Sequence, residues 1–317
     1  MSKTKNNRIL MIVFAVLLVA VGLNELIKSS KGERTFRKDI VEIDANNIKK
    51  IAIFPKNSGN RVVDVYLDDT IWKLKVDDKL FAADQDMIKG IVDELANMTP
   101  ERVVANSKEL WKEYDITDSL GVKVIVYGQK KEKAELTLGR FAYNQATRKP
   151  STFVRVNNEK EVYAVEGYLS MTFNREINSL RDKNIFRGNQ NDLSQITFNY
   201  PADSSYTVTR QDGQWSISGM PVDSLRMAGY LTTVCYLIGS EFRDDFIPAG
   251  AGEPLKIVLS GNNMKPVEID AYRDAKGTVL NSSENSSTYF SGEQADLYKK
   301  ICQPRSYFFE PGKVPAK

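Results

Sequence analysis

The stretch Asp192–Asp223, DLSQITFNYPADSSYTVTRQDGQWSISGMPVD, decides the predicted fold because the chain contains its pattern twice. Asn47–Asp84 has the same order of features: an apolar strand, a polar break, a second strand, a turn, a strand with tryptophan, and an aspartate before a helix. Trp72 and Trp215, the equivalent tryptophans, lie 143 positions apart. Solenoid repeats have periods of ~20–50 residues, so this much longer period predicts two duplicated domains.

The predicted helices also match, at the offset of 139 positions that separates Asp84 from Asp223. Each aspartate stands where an N-cap residue would accept a hydrogen bond from an N–H of the first helical turn. The apolar positions that follow have the spacing of one helix face. In the two helices these positions are Ile88, Ile91, Val92, Leu95 and Met98, and Met227, Tyr230, Leu231, Val234 and Leu237.

The predicted fold class is α+β, because runs of strands alternate with single helices in both halves. We expect two domains, at 41–183 and 184–317, each with a largely antiparallel sheet and packed helices. Closing helices are predicted at 166–178 and 293–301, and residues 281–287 (NSSENSS) are predicted to form a polar loop. After the first aspartate-led helix, strands are expected at 122–126, 136–138, 153–156 and 162–165. After the second, strands are expected at 255–259, 267–271 and 288–290, which are equivalent in order to the first three of those.

The N-terminus contains a long apolar segment, ILMIVFAVLLVAVGL, at 9–23. Extended to residue 27 it reaches the length of a bilayer span, which predicts a transmembrane anchor at 9–27 after a short tail at 1–8 and before a polar tether at 28–40. The alternative is a signal peptide cleaved near residues 20–22. We expect a single-pass protein of the inner (cytoplasmic) membrane with its body in the periplasm or extracytoplasmic space.

Composition narrows the possible functions. Lys and Arg number 44 against 41 Asp and Glu, so charge gives no reason to expect a nucleic-acid partner. The chain has no histidine, which excludes Ser-His-Asp and Cys-His catalysis and the usual zinc sites. We therefore expect no catalytic residue, metal or cofactor, although glycan hydrolysis by two carboxylates stays open. Cys235 and Cys302 are predicted to be buried thiols or, in an oxidising compartment, a disulfide.

Arg181 and Arg305 are the candidate contact residues, because each follows the predicted closing helix of its half. Such an arginine can clamp the carboxylate or phosphate of a ligand or partner. The other interpretation is a structural arginine that satisfies helix carbonyls and pairs with a neighbouring acid. Trp72 and Trp215 alternate with apolar residues along their strands, so we expect them in the cores rather than on a glycan-binding surface.

Several motifs resemble the bacterial family known as domain of unknown function 4340: LRDK at 180–183 followed by IF at 185–186, the strand and DGQW at 212–215, and the aspartate-led helix after them. Tyr114–Val126 is similar to a tyrosine-led loop of that family, with Asp115 where we expect a glycine. The resemblance covers nearly the whole body. Members typically accompany ABC transporters of the gliding-motility type, with a permease and an auxiliary membrane protein, so the resemblance implies partners of that kind.

The anchor, the lack of histidine and the resemblance together predict a membrane-anchored extracytoplasmic accessory or substrate-handling subunit of an ABC transport system. Its inner-membrane partners would be the permease and ATPase and the auxiliary subunit, and it would act by binding. One alternative is an envelope enzyme that uses two carboxylates on a glycan. Another is a purely structural protein of an envelope complex.

Overall fold

A computed structural model describes residues 36–56, 61–145, 148–157 and 159–309. The tail at 1–8, the anchor at 9–27 and the start of the tether at 28–35, all predicted from sequence, lie outside the described residues. Within those ranges, no helix is both long enough and apolar enough to cross a membrane.

The first half contains one antiparallel sheet, ordered β4-β3-β2-β1-β6-β7-β8-β9-β5. The N-terminal strand β1 therefore lies inside the sheet, between β2 and β6. The strands are β1 (Lys50–Phe54), β2 (Val63–Asp68), β3 (Ile71–Val76), β4 (Lys79–Ala82), β5 (Pro100–Ala105), β6 (Val122–Tyr127), β7 (Lys133–Asn144), β8 (Lys149–Val156) and β9 (Val162–Glu166).

The second half repeats that order as β14-β13-β12-β11-β16-β17-β18-β19. The place of β5 is taken by a short segment around Phe242, which forms a β-bridge with Phe290 of β19. β10 and β15 pair separately. The strands are β10 (Asn184–Arg187), β11 (Leu193–Asn199), β12 (Tyr206–Gln211), β13 (Gln214–Ile217), β14 (Met220–Pro221), β15 (Tyr236–Ile238), β16 (Leu255–Gly261), β17 (Val267–Asp274), β18 (Gly277–Ser282) and β19 (Tyr289–Ser291). Mostly antiparallel sheet with a few helices confirms the α+β class.

The aspartate-led helices form as predicted. α1 (Gln85–Ala96) begins after Asp84, whose side chain accepts a 3.0 Å hydrogen bond from the backbone N–H of Met87. The shorter helices of the first half are α2 (Leu169–Phe173) and α3 (Ile177–Leu180). α4 (Ser224–Val234) begins after Asp223 in the second half, and α5 (Leu297–Ile301) follows near the end. The first four predicted positions are buried in each helix, Ile88, Ile91, Val92 and Leu95 in α1, and Met227, Tyr230, Leu231 and Val234 in α4. The fifth position of each set is buried but lies beyond the helix, Met98 after α1 and Leu237 in β15, so the helices are shorter than predicted.

The two closing helices differ from the prediction. The helix predicted at 166–178 is interrupted at Asn174, whose side-chain oxygen accepts a 2.8 Å hydrogen bond from the backbone N–H of Lys56, and Glu176 is extended. The helix predicted at 293–301 begins as a 3-10 turn. It becomes α5 only after Asp296, because Asp296 and the residue before it have left-handed backbone angles.

The polar loop predicted at 281–287 is wrong at its start, because β18 extends to Ser282. β18 occupies the position in its sheet that β8 occupies in the first sheet. The strand equivalent to 153–156 is therefore β18, and the predicted equivalence with 288–290 is wrong. The alternation of apolar residues was hidden because a polar residue, Ser282, lies on the buried face and is fully buried.

Each half has its own apolar core. Trp215 is buried in the core of the second half, and Trp72 packs, half-buried, against that of the first, as predicted. The packed chain begins before residue 41, since Ile40 is fully buried and its N–H donates to the carbonyl of Met98. The final residues of the predicted tether at 28–40 are thus part of the folded first half.

Asp115 lies at the end of the 3-10 helix Lys108–Tyr114 and has the left-handed angles φ 56 and ψ 33. A glycine adopts that conformation without a steric penalty, so the loop has the shape that the expected glycine would give it.

We expect Asp115→Gly either to raise the free energy of unfolding or to change it by less than about 1 kcal/mol. Asp115→Val is expected to lower the free energy of unfolding by about 1–3 kcal/mol. The reason is that a β-branched side chain is strained at positive φ, whereas glycine is not. Thermal and urea unfolding of the two variants measure both effects. Equal losses of stability in the two variants would show that the aspartate side chain, and not its backbone conformation, governs this position.

Candidate functional site

The junction between the halves, here called the seam, is a short antiparallel contact that fixes where the chain passes from one half to the other. Ala83 forms a β-bridge with Arg181. The N–H of Asp84 donates to the carbonyl of Leu180 over 3.0 Å, and the N–H of Asp182 donates to the carbonyl of Ala82 over 2.9 Å. The seam therefore continues the edge of the first sheet.

The second half holds the other side of the seam. Asn285, which is buried, donates from its side-chain amide to the carbonyl of Asp182 over 3.2 Å. The N–H of Gly239 donates to the carbonyl of Lys183 over 2.9 Å. Both halves thus contribute hydrogen bonds to the same few residues, which restricts how the halves can rotate about the junction.

Arg181 is the central side chain of the seam, and it is only 1% exposed. Its terminal nitrogens donate to both carboxylate oxygens of Asp244 over 2.7 and 2.9 Å. The guanidinium carbon lies 3.8 Å from the ring centroid of Phe81 in the first half and 3.7 Å from that of Phe242 in the second. A bidentate ion pair between two aromatic faces is a strong and directional arrangement for arginine.

The guanidinium of Arg181 is therefore used to join the halves. Its Nε lacks a hydrogen-bond partner among the residues that the structure describes, but this atom is enclosed by the protein. Arg181 thus positions the walls of the seam. Pairing with an acid is one part of the second interpretation reached from sequence, but Asp244 lies 63 residues away in the chain rather than beside Arg181.

Arg305 is not equivalent to Arg181, in contrast to the expectation from sequence. The N–H of Asp84 bonds to Leu180, whereas the N–H of Asp223 bonds to Phe308 over 2.8 Å. The residue after Phe308 is Phe309, so a phenylalanine occupies the place of Arg181. Arg305 is half-buried instead, with its guanidinium carbon 6.0 Å from the ring centroid of Phe309.

Two open clefts border the seam. The first seam cleft, of about 540 Å³, has Arg181 and Asp244 in its wall. The second seam cleft, of about 550 Å³, lies between the start of α1 and the β10–β15 pair, where Tyr236 and Ile238 are exposed. Arg175 lines both clefts and is exposed, so one side chain is available to ligands or partners in either.

The first seam cleft carries mixed charge. Arg61 lies 3.9 Å from the carboxylate of Asp77, and Lys79 donates to the backbone carbonyl of Asp244. The wall contains one more basic residue than acidic residues. The basic residues are Arg61, Lys79, Arg175 and Arg181, and the acids are Asp77, Glu176 and Asp244. An open cleft with charged residues in its wall suits an exposed segment of another protein better than an enclosed small molecule.

Two pairs of adjacent acids, at 68–69 and 244–245, each contribute at least one residue to an ion pair. Asp245 accepts from Lys276 and from Arg243, and these bonds lower the pKa of Asp245 to about 2. Its neighbour Asp244 binds Arg181, and Asp68 binds Lys73 over 2.5 Å. Asp245 therefore stays ionised at neutral pH, which suits ion pairing and not general-acid catalysis.

A different carboxyl, that of Glu284, has a raised pKa. Burial raises the pKa of Glu284, and the negative charge of Asp182 raises it further against a backbone hydrogen bond from Arg187. Glu284 lines another cleft of about 550 Å³ in the second half together with Asp192. Nothing in the sequence singled out Glu284, because it lies in the stretch that was predicted to be a polar loop.

Cys235 and Cys302 are free thiols. Burial raises the pKa of Cys235 to about 11 and that of Cys302 to about 12. The thiolate is the reactive form of cysteine, so neither side chain is a nucleophile at neutral pH. Across the described ranges, no group of three or more Cys, Asp or Glu residues is placed to hold a metal ion.

The sequence comparisons agree with the motifs at the seam. A family model described as "Domain of unknown function (DUF4340)" matches residues 72–234, which is just over half of the chain. The match runs from the tryptophan of β3, through the seam, to the end of α4. Neither the curated proteins nor the solved structures contain a significant match. The chain belongs to the DUF4340 family.

Proposed function

We propose that this protein is a membrane-anchored, extracytoplasmic accessory or substrate-handling subunit of an ABC transport system, and that it acts by binding. Residues 9–27 would hold it in the inner membrane, and the clefts at the seam would receive a segment of the transporter or its auxiliary subunit. In the same proposal, the two halves, which share one strand order, are copies of a duplicated unit.

The observation that carries the proposal is the seam itself. The Arg181–Asp244 ion pair and the hydrogen bonds around it hold two similar halves in one arrangement, with open clefts beside the junction. A fixed pair of domains offers a preorganised surface, and preorganisation lowers the entropic cost of binding. The family resemblance supports the choice of partner, since it implies transporters of the gliding-motility type.

The test is affinity purification of the full-length chain from gently solubilised membranes, with identification of the chains that copurify. We expect an ABC permease and ATPase in fixed proportion to the bait. Arg175→Glu, which alters both seam clefts, is expected to reduce their recovery. Lys112→Glu is the matched control, because Lys112 is exposed on the 3-10 helix and lines neither seam cleft. Recovery of the bait alone would refute the proposal.

A second candidate function, hydrolysis of an envelope glycan, has one observation in its favour, the raised pKa of Glu284 in a cleft that also contains Asp192. A carboxyl whose pKa is raised can act as a general acid beside a second acid. Release of sugar from envelope glycans by the native protein, and its loss in Glu284→Gln, would support this function over a binding role.

A further inference from the structure

Exposed apolar side chains cluster at one corner of the first half. Phe141 and Tyr143 of β7, Tyr168 before α2 and Met171 within α2 are 46%, 51%, 47% and 57% exposed. The rings of Phe141 and Tyr168 meet edge to face, with centroids 5.7 Å apart. These four residues are called the corner patch below. Clustered exposed apolar groups of this size mark a surface that another phase or molecule covers.

The corner patch is held in shape by the protein. The hydroxyl of Tyr143 donates to the carbonyl of Arg148 over 2.9 Å, which fixes the ring. The N–H of Met171 donates to the carbonyl of Tyr168 over 2.9 Å, which sets the start of α2. Rigid aromatic side chains lose little conformational entropy when they are covered, so the patch is suited to binding.

The patch lies on the face of the sheet where the described chain begins. Ala142 packs against the small cluster on the opposite face, so its neighbours Phe141 and Tyr143 project to the main core face. Phe36 contacts Tyr163 on that same core face, with ring centroids 6.4 Å apart. The start of the described chain and the patch thus share one side of the first half.

The distances allow both to meet one surface. Tyr168 follows Tyr163 by five residues, so at most ~18 Å separates their Cα atoms. The eight residues at 28–35 extend over at most ~28 Å. A first half attached to residues 9–27 by that segment can therefore place the patch on the surface of the bilayer that holds them.

The charges around the patch have both signs. Arg148, Lys149 and Arg175 are exposed beside it in the chain, together with the acids Glu166 and Glu176, and Lys149 pairs with Glu166 over 2.8 Å. Basic residues near a membrane surface are attracted to anionic lipid headgroups, each contributing about 1 kcal/mol. Tyrosine and other aromatic rings are the side chains that favour the interface between headgroups and hydrocarbon. The aromatic rings of the patch therefore match the headgroup layer, and its exposed basic residues can contact anionic headgroups there.

We propose that the corner patch rests in the headgroup layer of the membrane that holds residues 9–27, so that the first half lies against the bilayer. The occupant of the patch is lipid. This inference depends on the anchor in the proposed function.

The test uses the full-length chain in vesicles of phosphatidylethanolamine and phosphatidylglycerol, with a nitroxide spin label on Met171→Cys. Leu225→Cys is the matched control, because Leu225 is 85% exposed in the second half. The native thiols have raised pKa values and should take up little label, which the unsubstituted chain verifies. Power-saturation measurements of the spin label compare how strongly it is relaxed by oxygen, which concentrates in lipid, and by a water-soluble nickel complex.

At position 171 we expect oxygen to relax the label severalfold more effectively than nickel, and at position 225 the reverse. Adding Phe141→Asp is expected to return the label at 171 to water while the chain still floats with the vesicles. A label at 171 that nickel relaxes as strongly as the control, in a chain that floats, overturns the patch proposal and leaves the anchor intact. A chain that does not float overturns the anchor and, with it, this inference.

Discussion

Replacing Phe198 with alanine is expected to lower the free energy of unfolding of the second half by about 3–5 kcal/mol. Phe198 is fully buried and stacks on Tyr206, with ring centroids 4.5 Å apart and planes inclined by 13°. Its ring also lies 5.9 Å from the rings of Tyr230 and Phe308. Removal of this ring leaves a cavity that strand β11, paired on both sides, cannot close by moving.

Urea unfolding followed by tryptophan fluorescence measures this loss. With Trp72 and Trp111 replaced by phenylalanine, the signal comes from Trp215 in the affected core. Leu225→Ala is the control, since an 85% exposed side chain should change stability by no more than about 0.5 kcal/mol. A loss below about 1 kcal/mol for Phe198→Ala would mean that the aromatic cluster is not the centre of the core.

Asp244→Ala should have the second largest effect, about 2–4 kcal/mol, and should act on the junction of the halves. It removes the partner of a guanidinium that is 1% exposed, and a buried charge without a partner is strongly destabilising. The expected loss lies toward the lower end for buried pairs because the Asp244 side chain is itself 37% exposed. Urea unfolding detects the loss, and cleavage between the halves under limited proteolysis locates it.

Two further variants identify the cause. In Arg181→Met with Asp244→Leu, both charges are gone and apolar side chains fill the site, so we expect most of the stability to return. Asp245→Ala removes the exposed neighbouring acid, which binds Arg243 and Lys276, and should have only a small effect. If the double variant is as unstable as Asp244→Ala, packing rather than the unpaired arginine explains the loss.

Local chemistry made the helices predictable. Asp84 and Asp223 cap α1 and α4 through their own side chains, so residue type and position within a few residues of the helix start are sufficient evidence. The buried faces follow from the helical repeat. Those features depend on short stretches of chain, and the sequence contains them directly.

The seam depended on contacts that sequence spacing does not encode. Arg181 was recognised, but its partner Asp244 lies 63 residues later, and many acids stand at comparable distances in the chain. The expected equivalence of Arg305 and Arg181 relied on counting residues from the end of each predicted closing helix. The interrupted closing helix and the 3-10 turn before α5 changed that count. Whether Arg181 or Arg305 also contacts a partner stays a prediction.

The position of β1 and β11 inside their sheets has a consequence for synthesis of the chain. Ile51 in β1 pairs with Val126 in β6, about 75 residues later, and Ile196 in β11 pairs with Leu259 in β16. At ~5–20 residues per second, the ribosome needs about 4–15 s to make the stretch between the first two partners. During that time an apolar strand has one edge without its partner. The rate of translation, rather than the rate of strand pairing, therefore limits when β1 and β11 can pair on both edges.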